Sequence, residues 1–177
     1  AEDIAHQIEH DCKLAFIHAF DDPFIIAGQG TIGAEVLADL PEVDMVVAPV
    51  GGGGLLSGVA VAMKSKKPNV KVFGIQPTAS PAMQVAMQNN VVIETPIQPT
   101  IADGLAGRFV SDLTLSLTQK YVDDIILVDE SEILSAMYFL LTEVRIMAEG
   151  AAAVGVAALI HDKISYRGKN ILVLITG

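Results

Sequence analysis

The sequence has a single cysteine, Cys12, and no tryptophan. One cysteine cannot form a disulfide within the chain or build a metal site from several thiolates, and we therefore predict a reducing, cytoplasmic compartment. Basic residues are also scarce, since 11 lysines and arginines stand against 21 aspartates and glutamates and give a formal net charge of -10. A basic surface is the first requirement for binding nucleic acid, so we expect no nucleic-acid partner.

Long apolar runs are missing as well. None approaches the ~20 residues that cross a bilayer, and the polar opening AEDIAHQIEHD has no signal-peptide character, so we expect no membrane partner. Apolar residues are nevertheless abundant, at 51% against 18% charged, which is enough for a sizeable core. The chain opens without methionine inside a helix-like segment, and we expect it to be part of a longer protein.

Short runs rich in valine and isoleucine alternate with helix-like segments. We predict strands at 14–19, 44–50, 70–75, 124–128 and 170–176, and helices at 31–40, 54–66, 81–89, 130–148 and 151–162. The strands read as continuous apolar runs, which is typical of strands buried on both faces. Strand and helix in repeated order predict an α/β fold, a parallel sheet with helices on both sides. Between the helices, residues 90–111 are predicted to form a long irregular connection, and such connections are often functional.

Two helix starts carry capping signals. Ser80 followed by Pro81 predicts a capping hydroxyl and a preset first helical residue. Asp129 with Glu132 three residues later predicts a capping box.

The stretch PVGGGGLLSG, residues 49–58, places four glycines between a predicted strand and a predicted helix. At the carboxyl end of a parallel sheet such a turn lies where ligands bind. Bare backbone N–H groups and the helix N-terminus suit a phosphate. A tight turn that lets the helix pack on the sheet is the alternative, but one or two glycines would serve for that.

Two common phosphate motifs do not fit these glycines. A P-loop needs a lysine followed by serine or threonine after its last glycine, and Leu55 and Leu56 stand there. A dinucleotide fingerprint needs Gly-x-Gly-x-x-Gly and an acidic residue at the end of the next strand, where Gln76 stands. Both residue patterns argue against a nucleotide-binding dehydrogenase or kinase.

The segment PVGGGGLLSGVAVAMK resembles the phosphate-binding segment of fold type II pyridoxal phosphate enzymes, in the group that contains threonine dehydratase (threonine ammonia-lyase) and serine racemase. Four further stretches agree in order: FDDPFIIAGQGTIGAE at 20–35, TIADGLA at 100–106, YVDDIILVDESEI at 121–133 and AEGAAAVGVAAL at 148–159. The resemblance covers essentially the whole chain and is strongest to catabolic threonine dehydratases. It implies the three-layer αβα fold of the tryptophan synthase β-like enzymes, with residues 1–177 as the C-terminal part of the large domain.

The resemblance also implies roles for individual residues. Glu149 lies in the family's active-site segment, with a carboxylate that merely flanks a helix as the alternative. Gln29 and Thr31 match the loop after Phe-Asp-Asp-Pro, where we favour Thr31 as a helix N-cap. The residues implied to bind pyridoxal 5'-phosphate are Gly51, Gly52, Gly53, Gly54, Leu55, Gly104 and Glu149.

Other polar residues have simpler interpretations. Metal-dependent relatives carry a carboxylate where this chain has Gln76, so the resemblance implies no metal site. Asp123 and Asp124 precede a strand and are interpreted as a solvated turn rather than an acid/base pair. His6 and His10 lie four residues apart on a polar helix face without the glutamate of a zinc protease between them at the required position, and we interpret them, with His18, as surface residues.

For the intact protein the resemblance implies β-elimination, which converts threonine or serine into 2-oxobutanoate or pyruvate and ammonia. The family's cofactor-linked lysine and its substrate-carboxylate loop lie upstream of Phe-Asp-Asp-Pro, and no lysine here matches that motif. Lys64 lies ten residues along the helix from Gly54, or ~15 Å, too far to reach a cofactor held there. We therefore predict no catalytic residue in this chain and little activity from it alone.

The family's polar partner of the cofactor ring nitrogen is expected beyond Gly177. An amino acid is the implied substrate, and a homo-oligomer is the implied assembly of the intact enzyme. Serine racemase or serine dehydratase activity and a phosphate-binding module without catalysis stay open as alternatives.

Overall fold

The computed structural model describes residues 2–177, with the side chains of the first helix described from Ile4 onward. In chain order its elements are α1 (Glu2–Cys12), α2 (Pro23–Asp39), β1 (Met45–Pro49), α3 (Gly54–Lys66), β2 (Lys71–Pro77), α4 (Ala82–Asn89), a 3-10 turn (Asp103–Leu105), α5 (Asp112–Tyr121), β3 (Asp124–Val128), α6 (Glu130–Phe139), a π-helical turn (Leu140–Val144), α7 (Gly150–Ile160) and β4 (Ile171–Val173). None of the described helices is long and apolar enough to cross a membrane.

The strands form one parallel sheet in the order β3-β2-β1-β4. The register of strand pairing places Val47 of β1 between Phe73 of β2 and Val173 of β4. From β1 the chain moves to β2 on one side, whereas β4 joins on the other side, so the direction of winding changes beside β1. The carboxyl end of a strand at such a switch point is where open α/β sheets bind ligands.

Helices cover both faces of the sheet. Val46 and Ala48 pack into a core with Leu56 and Val59 of α3, which also takes in residues of α4 and α5. The alternate residues Met45 and Val47 pack on the other face with α6 and α7. Every residue of β1 is buried, as the sequence indicates for a strand covered on both sides. The predicted three-layer αβα architecture is confirmed.

Helix α2 begins earlier than the sequence predicts. Pro23 is its first residue, and the carboxylate of Asp22 caps it by accepting from the N–H groups of Phe24 (2.7 Å) and Ile25 (3.1 Å). The expected N-cap role of Thr31 is wrong, because Thr31 lies inside the helix and its hydroxyl donates to the carbonyl of Gly28 at 2.9 Å. An aspartate followed by proline is a recognised helix start, and the glycines of this helix, Gly30 and Gly33, serve packing.

Those glycines let α2 lie against α3. A Cβ added at Gly33 would be 2.9 Å from the Cβ of Ala62, and one at Gly30 would be 3.2 Å from the carbonyl oxygen of Gly58. One at Gly58 would collide with the carbonyl oxygen of Ile26 and lie 2.8 Å from the backbone nitrogen of Gly30. The two backbones therefore touch where the side chains are absent.

The predicted strand at 14–19 is wrong. These residues are irregular, Leu14 and Ile17 are 60% and 66% exposed, and the N–H of Phe16 donates to the Glu9 carboxylate at 3.0 Å. A backbone donor tied to a side chain of α1 is not free for a sheet ladder. The last strand is shorter than predicted, Ile171–Val173, although the N–H of Leu174 still donates to the carbonyl of Val47.

Helix α6 is shorter than predicted, and helix α5 was not predicted. Helix α6 ends at Phe139 and a π-helical turn follows, closed by Arg145 in the left-handed region at φ 63°. The apolar residues that suggested a longer helix, such as Leu141 and Met147, are exposed. Helix α5 is missing from the prediction, although Ser111 and Thr114 form a capping box at its start.

The remaining helix and strand predictions hold, with ends shifted by a few residues, and residues 90–111 are irregular except for the 3-10 turn. The capping box of Asp129 and Glu132 is confirmed. The cap predicted at Ser80 is wrong, because Pro81 occupies the N-cap position and the Ser80 hydroxyl donates to the carbonyl of Gly107 at 2.8 Å.

Asp123 lies in an exposed turn, as the sequence predicts, and its side chain also joins three elements. Its carboxylate accepts from Lys64 of α3 and Lys71 of β2, both at 2.7 Å, and from the N–H of Val72 at 2.9 Å. Burial by itself raises the pKa of the Asp123 carboxyl, but the hydrogen bonds from Lys64, Lys71 and Val72 outweigh it and hold the pKa below its ordinary value.

The Asp123 pairing predicts a pH dependence of stability. Because its pKa is lowered in the folded chain, the carboxylate stabilises the fold above the unfolded value of about 3.9, and this contribution is lost as pH falls below about 4. Asp123→Asn should lower the free energy of unfolding at pH 7 by about 0.5–1 kcal/mol, since solvent screens the charges at this exposed site, and should flatten its decline under acid. Urea unfolding between pH 3 and 7 measures this, with Asp124→Asn, an exposed neighbour, as the control; equal pH profiles for Asp123→Asn and the unmodified chain would refute it.

The contact of α2 with α3 predicts opposite effects of two glycine replacements. Gly58→Ala should destabilise the chain by about 1–3 kcal/mol, because its Cβ meets backbone atoms of α2 that cannot move aside. Gly28→Ala, in the middle of α2 with nothing within 4 Å of the added Cβ, should be neutral or stabilising by up to about 1 kcal/mol. Thermal unfolding compares them, and a Gly58→Ala chain as stable as the Gly28→Ala chain would contradict the packing.

Candidate functional site

The turn from β1 into α3 is built without side chains. The N–H of Val50 makes the last sheet bond, to the carbonyl of Ile75 at 2.9 Å, and α3 begins at Gly54. Gly53 is the N-cap residue and lies in the left-handed region at φ 96° with no side-chain cap. The hydroxyl of Thr114, from α5, donates to the carbonyl of Gly52 at 2.8 Å and fixes the turn from its carbonyl side.

Three of the four glycines are required, each for its own reason. At Gly53 the positive φ disfavours any other residue, and a Cβ would lie 2.5 Å from the Cε of Met83. At Gly52 it would run into the ring of Phe20, and at Gly54 it would lie 2.9 Å from the Cβ of Phe20 and 3.1 Å from its Cα. At Gly51 it would make ordinary contacts only, 3.7 Å from the carbonyl oxygen of Gly104.

The backbone donors of this turn have no partner. Within residues 2–177, the N–H groups of Gly51, Gly52, Gly53, Gly54 and Leu55 donate to no other group, and the first helical bond of α3 runs from Ser57 to Gly53 at 2.9 Å. Gly53 and Gly54 are buried. Since buried N–H groups are almost always paired, a run of unpaired ones at a helix N-terminus is suited to an anion.

These glycines line a small pocket of about 170 Å³. Its walls are Phe20, Pro49, Gly51, Gly52, Gly53, Gly54, Leu55, Leu56, Gly104, Leu105 and Gly177. No charged side chain belongs to this lining, so the backbone supplies its polarity. A larger groove of about 570 Å³ runs along α2, α3 and α5, but Thr31 is the only polar side chain in its lining. The chemistry for anion recognition therefore lies at the glycine turn.

The residues predicted to bind a cofactor meet at this pocket. Gly51–Leu55 and Gly104 line it, and Oε1 of Glu149 lies 3.6 Å from the Cβ position of Gly104 and against Gly177. Glu149 is the N-cap residue of α7 without a side-chain cap bond. The structure thus brings the seven residues to one corner, and their role in binding stays a prediction.

Glu130 holds the segment that carries Gly104, a role that the sequence did not reveal. Its carboxylate accepts from the hydroxyl of Thr100 at 2.5 Å and from the N–H of Ile101 at 2.9 Å. The carbonyl of Ile101 in turn packs against Gly150, where a Cβ would collide. This anchoring sets Gly104 beside the glycine turn. The stretch VDESEI was visible in the sequence, but nothing in it pointed to a contact 29 residues away.

Thr176 is a second residue that sequence reasoning missed. Its hydroxyl oxygen is buried and has no hydrogen-bond partner among the described residues. It directly precedes Gly177, which lines the pocket. The hydroxyls of Ser57 and Thr118 are buried and unpaired in the same way among the described residues, so it is the position next to Gly177 that relates Thr176 to the pocket.

Gln76 has a structural role. Its amide nitrogen donates to the carbonyl of Val50 at 3.3 Å, and its amide oxygen accepts from the N–H of Gln84 at 3.0 Å. The side chain therefore ties the end of β1 to α4. No group of three or more histidine, cysteine, aspartate or glutamate side chains that could hold a metal occurs in the part of the chain that the structure describes.

His6, His10 and His18 do not line the glycine-turn pocket. His6 and His10 are exposed and contact Glu9 and Asp11. His18 differs from the predicted surface role, since its Nδ1 accepts from the N–H groups of Phe20 (3.2 Å) and Asp21 (2.8 Å). It is half-buried.

The whole chain, residues 1–177, matches the sequence profile of the family described as pyridoxal-phosphate dependent enzyme. Among curated proteins it is 46% identical over its full length to the L-threonine ammonia-lyase of Thermotoga maritima, of which it spans 44%. It is 41% identical over 88% of its length to the catabolic L-threonine dehydratase TdcB of Escherichia coli K12, of which it spans 47%. The chain therefore spans less than half of these relatives.

Solved structures agree with the sequence matches. Maize serine racemase superposes with a TM-score of 0.94 at 31% identity, over 99% of this chain and 56% of that one. The threonine deaminase of T.th. superposes with a TM-score of 0.91 at 32% identity, over 99% of this chain and 61% of that one. The fold implied by the resemblance, a tryptophan synthase β-like parallel sheet between helices, is confirmed.

The glycine turn predicts unequal effects of single alanines. Gly53→Ala should lower the free energy of unfolding by about 1–3 kcal/mol, because alanine is strained at φ 96° and its Cβ meets Met83 and Thr114. Gly51→Ala, with ordinary contacts only, should change it by less than about 0.5 kcal/mol. Urea denaturation followed by circular dichroism makes the comparison, and equal stabilities of the two variants would show that the turn is not constrained as described.

Proposed function

This chain belongs to the family of pyridoxal-phosphate dependent enzymes, and on that premise we propose that Gly51–Leu55 hold the phosphate group of pyridoxal 5'-phosphate. The observation that carries the proposal is the run of N–H groups that donate to nothing within residues 2–177. A phosphate ester presents several strong acceptors to such donors, and the partial positive charge of the α3 N-terminus adds to the attraction.

The surroundings of the turn fit this group. The pocket of about 170 Å³ is small and no charged side chain is part of its lining, although the Glu149 carboxylate lies beside Gly177 at its edge. The carbonyl of Gly52 is already bonded to Thr114, which leaves the N–H side of the turn for a ligand. The unpartnered hydroxyl of Thr176, next to Gly177, supplies a further polar group for the same cofactor. The sequence predicted the polar partner of the cofactor ring beyond Gly177, and Thr176 is a second candidate for that contact.

For the whole protein we propose the conversion of threonine to 2-oxobutanoate and ammonia, or of serine to pyruvate and ammonia. Curated relatives at 46% and 38% identity are named L-threonine ammonia-lyase, and this chain spans 44% and 43% of their lengths. When bound, pyridoxal 5'-phosphate supplies an electron sink for the negative charge left when a proton leaves the α-carbon of an amino acid.

The residues of this chain bind and orient rather than make bonds. Gly51–Leu55 fix the position of the cofactor, and Glu130 keeps Gly104 beside them through Thr100 and Ile101. Lys64 is engaged with Asp123 at the far end of α3, so it is not available at the glycine turn. We propose that residues 1–177 belong to the large catalytic domain, that the catalytic residues lie in other parts of the protein, and that the chain alone is inactive.

Serine racemase activity is the second candidate, because maize serine racemase has a TM-score of 0.94 to this chain. A phosphate-binding module without catalysis is a third, supported by the unpaired N–H groups of the glycine turn, which suit a phosphate whether or not a reaction follows. A cytoplasmic location and a homo-oligomeric intact enzyme remain proposals that follow from the single cysteine and from the family.

The test of the reaction uses the full-length protein. With pyridoxal 5'-phosphate present, we expect keto acid and ammonia in equal amounts from threonine or serine, measured by coupled reduction of the keto acid and by ammonia assay. The racemase alternative predicts D-serine from L-serine with little ammonia, which chiral chromatography detects.

The same experiment compares a variant of the glycine turn with a control variant in α2. Gly53→Ala in the full-length protein should raise the pyridoxal 5'-phosphate concentration needed for half-maximal activity about tenfold or more, whereas Gly28→Ala should leave it unchanged. A full-length protein that forms neither keto acid nor D-serine at saturating cofactor would reject both enzyme proposals and favour the module.

A further inference from the structure

We propose that Phe20 is a positioning residue for the phosphate-binding turn, and that His18 holds it in place. The proposal rests on the function proposed above and deepens it. It concerns the aromatic segment, residues 14–20, which connects α1 to the cap of α2 and has no regular structure.

Phe20 occupies the space that side chains would take in the glycine turn. Its ring atoms Cδ1, Cε1 and Cγ are the nearest atoms to the Cβ position of Gly52. Its Cβ, Cα and carbonyl oxygen lie 2.9, 3.1 and 3.3 Å from the Cβ position of Gly54. Any residue with a Cβ at position 52 or 54 would clash with Phe20, so both positions require glycine. Phe20 also lines the pocket.

This contact supports one face of the turn and leaves the other open. Thr114 holds the carbonyl of Gly52 from α5, and Phe20 fills the side-chain face, so the unpaired N–H groups are presented to the pocket. An apolar ring at this place also excludes water that would compete for those donors. Removing the ring would leave a cavity into which the flexible glycines can relax, and the N–H groups would lose their alignment.

His18 fixes the backbone from which the ring projects. Its Nδ1 accepts from the N–H of Phe20, two residues on, at 3.2 Å, and from the N–H of Asp21, three residues on, at 2.8 Å. Asp22 makes the same pattern with Phe24 and Ile25. His18 therefore acts as an acceptor that caps a turn, a role that asparagine and aspartate side chains also perform.

Ring contacts join the aromatic segment to the rest of the chain. His18 and Phe20 meet edge to face with centroids 4.6 Å apart, and Phe16 lies 6.1 Å from His18 in the same manner. His6 of α1 contacts Phe16 at 4.3 Å. The series of rings runs from α1 to the glycine turn, and edge-to-face pairs add modestly to its stability.

The test measures binding of inorganic phosphate and of pyridoxal 5'-phosphate to the chain by isothermal titration calorimetry at pH 8. Phe20→Ala should weaken binding of both about tenfold, because alignment of several charge-assisted hydrogen bonds is lost. The matched control is Phe24→Ala, four residues on, whose side chain is 86% exposed; its binding should equal that of the unmodified chain.

A double-mutant cycle isolates the contact of ring and turn. Gly52→Ala should also weaken phosphate binding about tenfold, because its Cβ displaces the ring. In the Phe20→Ala background the added Cβ has room, so the double variant should bind no more weakly than the weaker single variant. Independent losses that multiply in the double variant would overturn the proposal.

His18 is tested by rescue. His18→Leu should weaken phosphate binding as Phe20→Ala does, whereas His18→Asn, which keeps an acceptor for the two N–H groups, should bind within about twofold of the unmodified chain. Equal binding by the leucine and asparagine variants would remove His18 from the proposal.

The outcomes separate this inference from the proposed function. If the unmodified chain binds neither phosphate nor pyridoxal 5'-phosphate, the phosphate-binding turn itself is rejected. If it binds both and a folded Phe20→Ala chain binds them equally well, only the positioning role is rejected. Should Phe20→Ala fail to fold, the Gly52→Ala variant and the His18 pair decide, and normal binding by Gly52→Ala and His18→Leu would overturn the inference.

Discussion

The structure depends on a turn that has to be made without side chains. Between β1 and α3 the backbone enters the left-handed region at Gly53 and passes under Phe20 at Gly52 and Gly54. Phe20 crowds the side-chain face of this turn, and Thr114 donates to the Gly52 carbonyl. The N–H groups of residues 51–55 have no hydrogen-bond acceptor within residues 2–177. Leaving several donors unpaired is unfavourable in a chain by itself. In the function proposed above, the phosphate of the cofactor supplies the missing hydrogen-bond partners and offsets that cost.

The rest of the fold serves to keep this corner in place. Glycines on α2 and α3 bring the two helix backbones into contact. This contact fixes the position of α3, whose N-terminus lines the pocket. Gln76 ties the end of β1 to α4, while Glu130 fixes the segment that carries Gly104. Asp123 joins α3, β2 and β3 at the opposite end of the sheet through two lysines. The polar side chains that are buried or paired thus act mainly as ties between elements, and the pocket walls stay uncharged.

The core of the fold and the position of the site were predictable from sequence, because apolar runs and consecutive glycines are local signals. The glycine turn follows β1 as expected, and the seven predicted residues meet at it, although their binding role awaits a test. What could not be predicted depends on contacts between distant residues. The contact of Gly30 and Gly33 with α3 cannot be read from the sequence. Neither can the hydrogen bond from the N–H of Phe16 to Glu9, which argues against the strand predicted at 14–19. Phe20 and Glu130 lie in stretches that the resemblance covers, but no sequence signal gives their contacts, and only the structure shows these and the position of Thr176.

The central claim is that the N–H groups of Gly51–Leu55 bind the phosphate of pyridoxal 5'-phosphate. Nuclear magnetic resonance of the 15N-labelled chain, titrated with that cofactor and separately with pyridoxal, reads those groups one by one. The account predicts saturable shifts at these five amides with the cofactor, and with inorganic phosphate, and little change there with pyridoxal, which lacks the phosphate. Binding of the cofactor that leaves the amides of Gly51–Leu55 unshifted would contradict the account.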